Sequence, residues 1–199
     1  MKLKLRPNRR NPNKLSLYLD GRYFTSLSRD LVLKLGITTD EELTEEQVDL
    51  LGLRANEEKA RSYALRLLSY RPRSKNELLE RLTKKGYPQE IIRKVVENLA
   101  KENLISDYEY AKSIVRHYLN FRLKGRHKII YELKKRGISE EIINQVLKEI
   151  NPEEELRALK TLLAKKLMSK TQEPSKLKAR LMRSGFSLSL INKVLHETR

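Results

Sequence analysis

From residue 57 to residue 197, apolar side chains recur three and four positions apart, the spacing of helices that bury one face. The pattern is interrupted in the same way three times. Leu-Thr-Lys-Lys-Gly-Tyr-Pro-Gln-Glu-Ile-Ile at 82–92 returns as Leu-Lys-Lys-Arg-Gly-Ile-Ser-Glu-Glu-Ile-Ile at 133–143, and more loosely as Leu-Met-Arg-Ser-Gly-Phe-Ser-Leu-Ser-Leu-Ile at 181–191. The alignment is anchored on Gly86, Gly137 and Gly185, which lie 51 and 48 residues apart. Four residues before each glycine stands Leu82, Leu133 or Leu181; one after it stands Tyr87, Ile138 or Phe186; six after it stands Ile92, Ile143 or Ile191; nine after it stands Val95, Val146 or Val194. A fixed register at this period marks one supersecondary unit used three times.

The breaks also say where helices stop and start. A glycine just past a helix adopts the left-handed conformation without steric cost, and the apolar residue behind it can fold back on the helix. Lys84 and Lys85, Lys135 and Arg136, and Arg183 precede the glycines, where cations suit the negative helix end or a ligand. Ser74 with Glu77 and Ser106 with Glu109 have capping-box spacing, Ser139 and Ser187 are candidate N-caps, and Pro88 fits a first helical turn. The expected helices are 57–70, 75–85 and 89–102; 107–122, 126–136 and 140–149; 153–170, 175–184 and 188–197. About 50 residues bury too little to be stable alone. The expected fold is therefore mainly α: three tandem three-helix repeats, at 56–105, 106–151 and 152–199, stacked into an elongated curved rod.

Residues 1–55 follow another rule. KLSLYLDGRYFTSL alternates apolar and polar positions around Asp20-Gly21, the dipeptide of a type I′ hairpin turn. A two-residue turn opposes Tyr18 to Tyr23 and Leu17 to Phe24. A lone hairpin is marginal, so DLVLKLGI and EELTEEQVDLLG are expected as short helices covering it.

Charge adds a partner to this scaffold. The 199 residues hold 43 Lys and Arg against 26 Asp and Glu, a formal charge of +17. Residues 1–55, 56–110 and 111–199 carry +2, +3 and +12, so the carboxy-terminal half dominates the field. A chain this basic repels itself unless a polyanion or an acidic surface shares its charge, and nucleic acid is the first candidate. With no cysteine there is no disulfide and no thiolate chemistry. No apolar run has the length of a signal sequence or a membrane span, and a cytoplasmic, monomeric protein without membrane contact is expected.

No constellation for catalysis is visible. His117, His127 and His196 stand at no metal-ligand spacing, and Glu45-Glu46 and Glu153-Glu154-Glu155 fall at helix starts, where the dipole favours them. No metal or cofactor is expected, and no enzymatic activity. The candidate site is a set of cations. Arg71, Arg73 and Lys75 precede Gly86 by 15, 13 and 11 residues, and Arg122, Lys124 and Arg126 precede Gly137 by the same intervals; the third copy offers Lys170, Gln172 and Pro174. These triplets sit on the connection into a middle helix, where free backbone amides and the helix dipole favour phosphate. Arg116, Lys128, Lys134 and Lys135 add charge around the second connection. The alternative is solvated loop charge. Tyr70, Tyr110, Tyr118, Phe121 and Tyr131 interleave with these cations and are read as packing residues in preference to base-stacking ones.

The same residues resemble the RecX regulatory proteins, modulators of the bacterial recombinase RecA. ALRLLSYRPRSKNELLERLTKKGY is similar to the family's first segment through Arg71, Arg73, Ser74, Glu77, Leu78, Leu82, Lys85 and Gly86. LISDYEYAKSIVRHYLNFRLKGRHKIIYELKKRGI resembles the second through Leu104, Ile105, Asp107, Tyr110, Ala111, Arg116, Gly125, Ile129, Glu132, Leu133, Gly137 and Ile138. Many members carry a small residue or proline after the glycine matching Gly125, where this chain has Arg126 and His127. The resemblance implies a protein that binds the RecA filament on single-stranded DNA, suppressing filament growth, strand exchange and coprotease activity without catalysis of its own. A general nucleic-acid-binding repeat protein is the alternative that the charge alone supports.

Overall fold

The computed structural model describes residues 1–167 and 173–197. Their elements, in chain order, are β1 (Leu3–Pro7), β2 (Lys14–Leu19), β3 (Arg22–Ser28), α1 (Arg29–Leu35), α2 (Glu45–Tyr70), α3 (Lys75–Lys84), α4 (Gln89–Lys101), α5 (Asp107–Asn120), α6 (Arg126–Lys135), α7 (Glu140–Lys148), α8 (Pro152–Leu167), α9 (Pro174–Arg183) and α10 (Leu188–Glu197). The end of the expected helix 153–170 lies outside the described residues, as do Lys170 and Gln172. The chain forms two compact units: Met1–Arg71 with Leu79–Asn98, and Pro72–Leu78 with Leu99–Arg199.

In the first unit, β1, β2 and β3 form an antiparallel sheet in that order. The expected hairpin is present. Asp20 and Gly21 both have positive φ, 46° and 81°, and Tyr18 pairs with Tyr23. Leu17, however, faces Thr25 and not Phe24, because the β2–β3 register shifts between Leu17 and Tyr18. Such a bulge adds a residue on one strand and re-aims the side chains beyond it. Nor is the hairpin alone, since β1 lines β2 and its Leu3 is fully buried with Leu17 and Leu27 against Val32, Leu43, Val48, Leu51 and Ala55. The charges of MKLKLRPNRRNPNK obscured this strand: in β1 only Leu3 is fully buried, and its neighbours face outward.

α2 also departs from expectation. The segment EELTEEQVDLLG does not make a separate helix; Thr44 caps one helix of 26 residues, accepting from the Gln47 amide while the Gln47 side chain accepts from the Thr44 amide. No proline interrupts it, and its only glycine, Gly52, is half-buried with the Phe24 ring 3.5 Å from where a Cβ would lie. At its far side the Glu58 carboxylate accepts two 3.0 Å bonds from the Ser28 amide, tying α2 to the end of β3.

The glycine breaks all form the same cap. At Gly86, Gly137 and Gly185, φ is 88°, 71° and 95°. Each glycine amide donates to a carbonyl three residues back, at 2.9 Å, and the amides of Tyr87, Ile138 and Phe186 donate to the carbonyls of Leu82, Leu133 and Leu181. This pair of bonds is the Schellman arrangement, and it explains the repeated Leu and apolar partner around each glycine. In the second unit Leu133, Ile138, Leu181 and Phe186 join one core with Val115, Leu119, Ile129, Ile143, Val146, Leu159, Ile191 and Val194. Ser106, Ser139 and Ser187 cap their helices as expected, accepting from the amides of Glu109, Ile142 and Leu190.

Candidate nucleic-acid interface

Inside the second unit, the connection into a middle helix docks on the glycine cap of the next copy, and it does so twice. Ser74, with no exposed surface, forms a full capping box with Glu77 and donates its hydroxyl hydrogen to the Arg136 carbonyl at 2.7 Å. Asn76 lies so close to Gly137 that a Cβ there would be 2.4 Å from the Asn76 Cβ. One copy later the Gly125 amide donates to the Ser184 carbonyl at 3.0 Å, and the His127 amide to the Gly185 carbonyl at 3.1 Å. A Cβ on Gly125 would come within 2.4 Å of the Gly185 carbonyl oxygen, and one on Gly185 within 2.5 Å of the Lys128 amide nitrogen. Backbone meets backbone at this joint, which only glycine permits.

This docking changes the role of the helix starts. The amides of Ser74, Lys75 and Glu77 donate to Glu77, Asp107 and Ser74, and those of Arg126, His127 and Lys128 donate to Glu155, Gly185 and Gly125. They are not open to phosphate, contrary to what the sequence indicated. Any anion held here is held by side chains.

The candidate cations divide accordingly. Arg126 is turned to the protein: its guanidinium donates to the Leu147 carbonyl at 3.3 Å and its Nε lies 3.9 Å from Glu155. Lys128 lies 3.4 Å from Glu132 and 4.4 Å over the centre of the Tyr131 ring. Lys134 pairs with Glu140. Arg116, Arg122 and Lys135 are exposed and reach no carboxylate within ion-pair distance among the described residues; Arg116 lies near enough to Glu149 to help hold that carboxylate below its ordinary range, behind the larger effects of Tyr108 and Lys112. Lys124 is half-buried and, with Arg180, Arg183, Ser184 and Leu162, lines a depression of about 510 Å³. Lys75 is exposed and Arg73 half-buried in the same unit, whereas Arg71, exposed at the C-cap of α2, belongs to the first unit. Sequence reasoning missed Arg180 and left Arg183 open between a helix-end charge and a ligand contact. Arg183 shares its register with Lys84 and Lys135, and Arg180 with Arg81, so the repeat predicts a cation near the glycine, and the fold brings these two beside Lys124.

Among these cations is a half-buried ion pair. Arg136 donates to the Glu132 carboxylate at 2.7 Å and to its carbonyl at 2.9 Å. Burial works against the Arg136 charge, but Glu132 and Tyr110 outweigh it and its pKa is raised. Glu132 in turn is held below the ordinary carboxylate range by the Arg136 hydrogen bond, against its own burial, with Lys128 adding to the effect. Tyr110, buried and donating to Glu77 at 3.1 Å, has its pKa raised by burial and by that carboxylate.

The aromatics do not all pack. Tyr110 is 6% exposed, but Tyr70 is 78%, Phe121 77% and Tyr131 57% exposed. Among the described residues, no three His, Cys, Asp or Glu converge as a metal site, and no helix is long and apolar enough to cross a membrane.

Residues 60–99 match the first three-helix domain of RecX and residues 106–147 match the second. A regulatory protein RecX of Caldanaerobacter subterraneus is 32% identical over 191 residues, covering 96% of both chains. The chain belongs to the RecX family. A RecX of Limosilactobacillus reuteri is 29% identical over 92% of this chain and 71% of its own. A crystal structure of a regulatory protein RecX aligns with TM-score 0.78 and 27% identity over 96% of this chain and 97% of that one, and the RecX of Lactobacillus salivarius aligns with TM-score 0.64 and 28% identity over 71% and 96%. The departure from the RecX pattern after Gly125 has a local explanation. Arg126 and His127 are the first residues of α6, behind the N-cap Gly125 at φ −81° and ψ 172°, and their amides donate to Glu155 and to the Gly185 carbonyl.

Proposed function

We propose that this RecX family protein is a non-enzymatic regulator that binds the RecA filament on single-stranded DNA and inhibits its recombinase and coprotease activities in the bacterial cytoplasm. The reading follows from family membership over nearly the whole chain. The observation that carries it further is the division of cations on the second unit. Arg126, Lys128 and Lys134 are committed to carboxylates, whereas Arg116, Arg122, Lys124 and Lys135, with Arg180 and Arg183, remain to meet an outside anion. Lys75 and Arg73 carry charge on the equivalent connection of the preceding copy, and Arg71 carries it at the C-cap of α2.

Such side chains act as point charges on phosphate or on acidic protein surface, and their contribution falls with salt. Adding the protein to RecA filaments on single-stranded DNA lowers the rate of ATP hydrolysis as it saturates them. Unchanged hydrolysis at full occupancy contradicts the proposal. Tight, salt-sensitive binding to naked DNA and RNA alike, with no effect on filaments, supports the general nucleic-acid-binding alternative.

A further inference from the structure

Tyr70 and Phe121 occupy the same register of two successive copies, sixteen residues before Gly86 and Gly137. Both rings are left to solvent, 78% and 77% exposed. Each stands directly ahead of a cationic stretch, Tyr70-Arg71-Pro72-Arg73 and Phe121-Arg122-Leu123-Lys124. At the second position the ring has a neighbour: His117, one turn back on α5 and also exposed, stacks on Phe121 with centroids 5.7 Å apart and planes 30° from parallel. The amides of Phe121 and Arg122 both donate to the His117 carbonyl, which fixes the ring-bearing residues on the helix end. From Tyr110 to Tyr131 the chain contains six cations, Lys112, Arg116, Arg122, Lys124, Arg126 and Lys128, and no carboxylate.

We propose that His117 and Phe121 form a stacking platform for an unpaired base, with Arg122 and Lys124 taking the adjoining phosphates. Tyr70 is the corresponding ring of the preceding copy. A flat apolar surface amid cations matches a strand that offers base faces and phosphates together. A duplex offers the phosphates but keeps its base faces inside, so the platform selects single strands. This inference rests on the nucleic-acid part of the function proposed above and narrows it to the bases.

The chain has no tryptophan, so Phe121→Trp introduces a single indole at the platform, excited selectively at wavelengths where the nine tyrosines do not absorb. Binding is followed by anisotropy of a labelled oligothymidylate of about twenty nucleotides and of an abasic strand with the same number of phosphates. The wild-type chain prefers the oligothymidylate by about tenfold, as expected for one stacked base. Phe121→Ala removes the preference and leaves the salt slope unchanged, while Phe121→Trp keeps it and its emission is quenched by the oligothymidylate but not by the abasic strand. Equal affinity of the wild type for both strands, or unquenched emission at saturation, overturns the platform alone. No binding to either strand overturns the nucleic-acid reading and the platform with it.

Discussion

The Ser74 hydroxyl donates to the Arg136 carbonyl across 62 residues of sequence, while its oxygen accepts the Glu77 amide of its own helix. One side chain thereby caps the start of α3 and satisfies a carbonyl at the end of α6. Ser74→Ala leaves the Arg136 carbonyl and the Glu77 amide without these partners. Because Ser74 is fully buried, water does not readily replace them. We expect a loss of about 1–3 kcal/mol in the unfolding free energy measured by urea titration.

The repeated glycines separate conformational strain from close contact. Gly86 has φ 88° with nothing within 4 Å of a Cβ, whereas Gly185 has φ 95° and a Cβ there meets the Lys128 amide and the Gly125 carbonyl. Gly86→Ala should cost about 1 kcal/mol, the strain of a left-handed alanine. Gly185→Ala adds a backbone collision and should cost roughly 3 kcal/mol or more. Parallel thermal unfolding of the two variants compares them directly; equal losses would refute the joint at Gly125 and Gly185.

Much of this was readable from the chain. The Leu-to-glycine register revealed three helical units because a Schellman cap needs those residue types at those places, and serine caps located the starts of α3, α5, α7 and α10. The joint was not readable, since Ser74 with Arg136 and Gly125 with Gly185 are paired by packing over long separations. β1 was hidden by its charged neighbours, and the bulge at Leu17 by a turn that looked sufficient to set the register. For the site, local sequence identified the cations but not their orientation. Arg122 and Arg126 look alike in the repeat, and Glu155 on α8 with the Leu147 carbonyl distinguishes them.

That distinction is testable. Arg126→Glu places a carboxylate against Glu155, so it lowers stability as well as any binding. Arg122 and Lys124 hold no carboxylate among the described residues, so Arg122→Glu and Lys124→Glu should leave the melting temperature near that of the wild type while weakening binding to single-stranded DNA. The salt slope of the double variant should fall by about two, one for each lost phosphate contact. Fluorescence anisotropy at several salt concentrations, beside a thermal melt, measures both.

Glu132 gives a dependence on pH. Its folded-state pKa is lowered, chiefly by the Arg136 hydrogen bond, so it stabilises the protein above the ordinary carboxylate pKa of 4.5. That contribution is lost as pH falls from this value through the lower folded-state one. Glu132→Gln should therefore be less stable than the wild type at neutral pH, and the difference should shrink as acid protonates Glu132. Unfolding titrations at neutral pH and at successive steps below 4.5 follow the convergence; a gap that stays constant would exclude ionic stabilisation by this pair.

The most direct measurement is co-sedimentation of the protein with RecA filaments assembled on single-stranded DNA, comparing the wild type with the Arg122→Glu, Lys124→Glu double variant. The wild type should pellet with the filament and the folded double variant should stay largely in solution. Undiminished pelleting of the double variant would contradict recognition through this cationic surface.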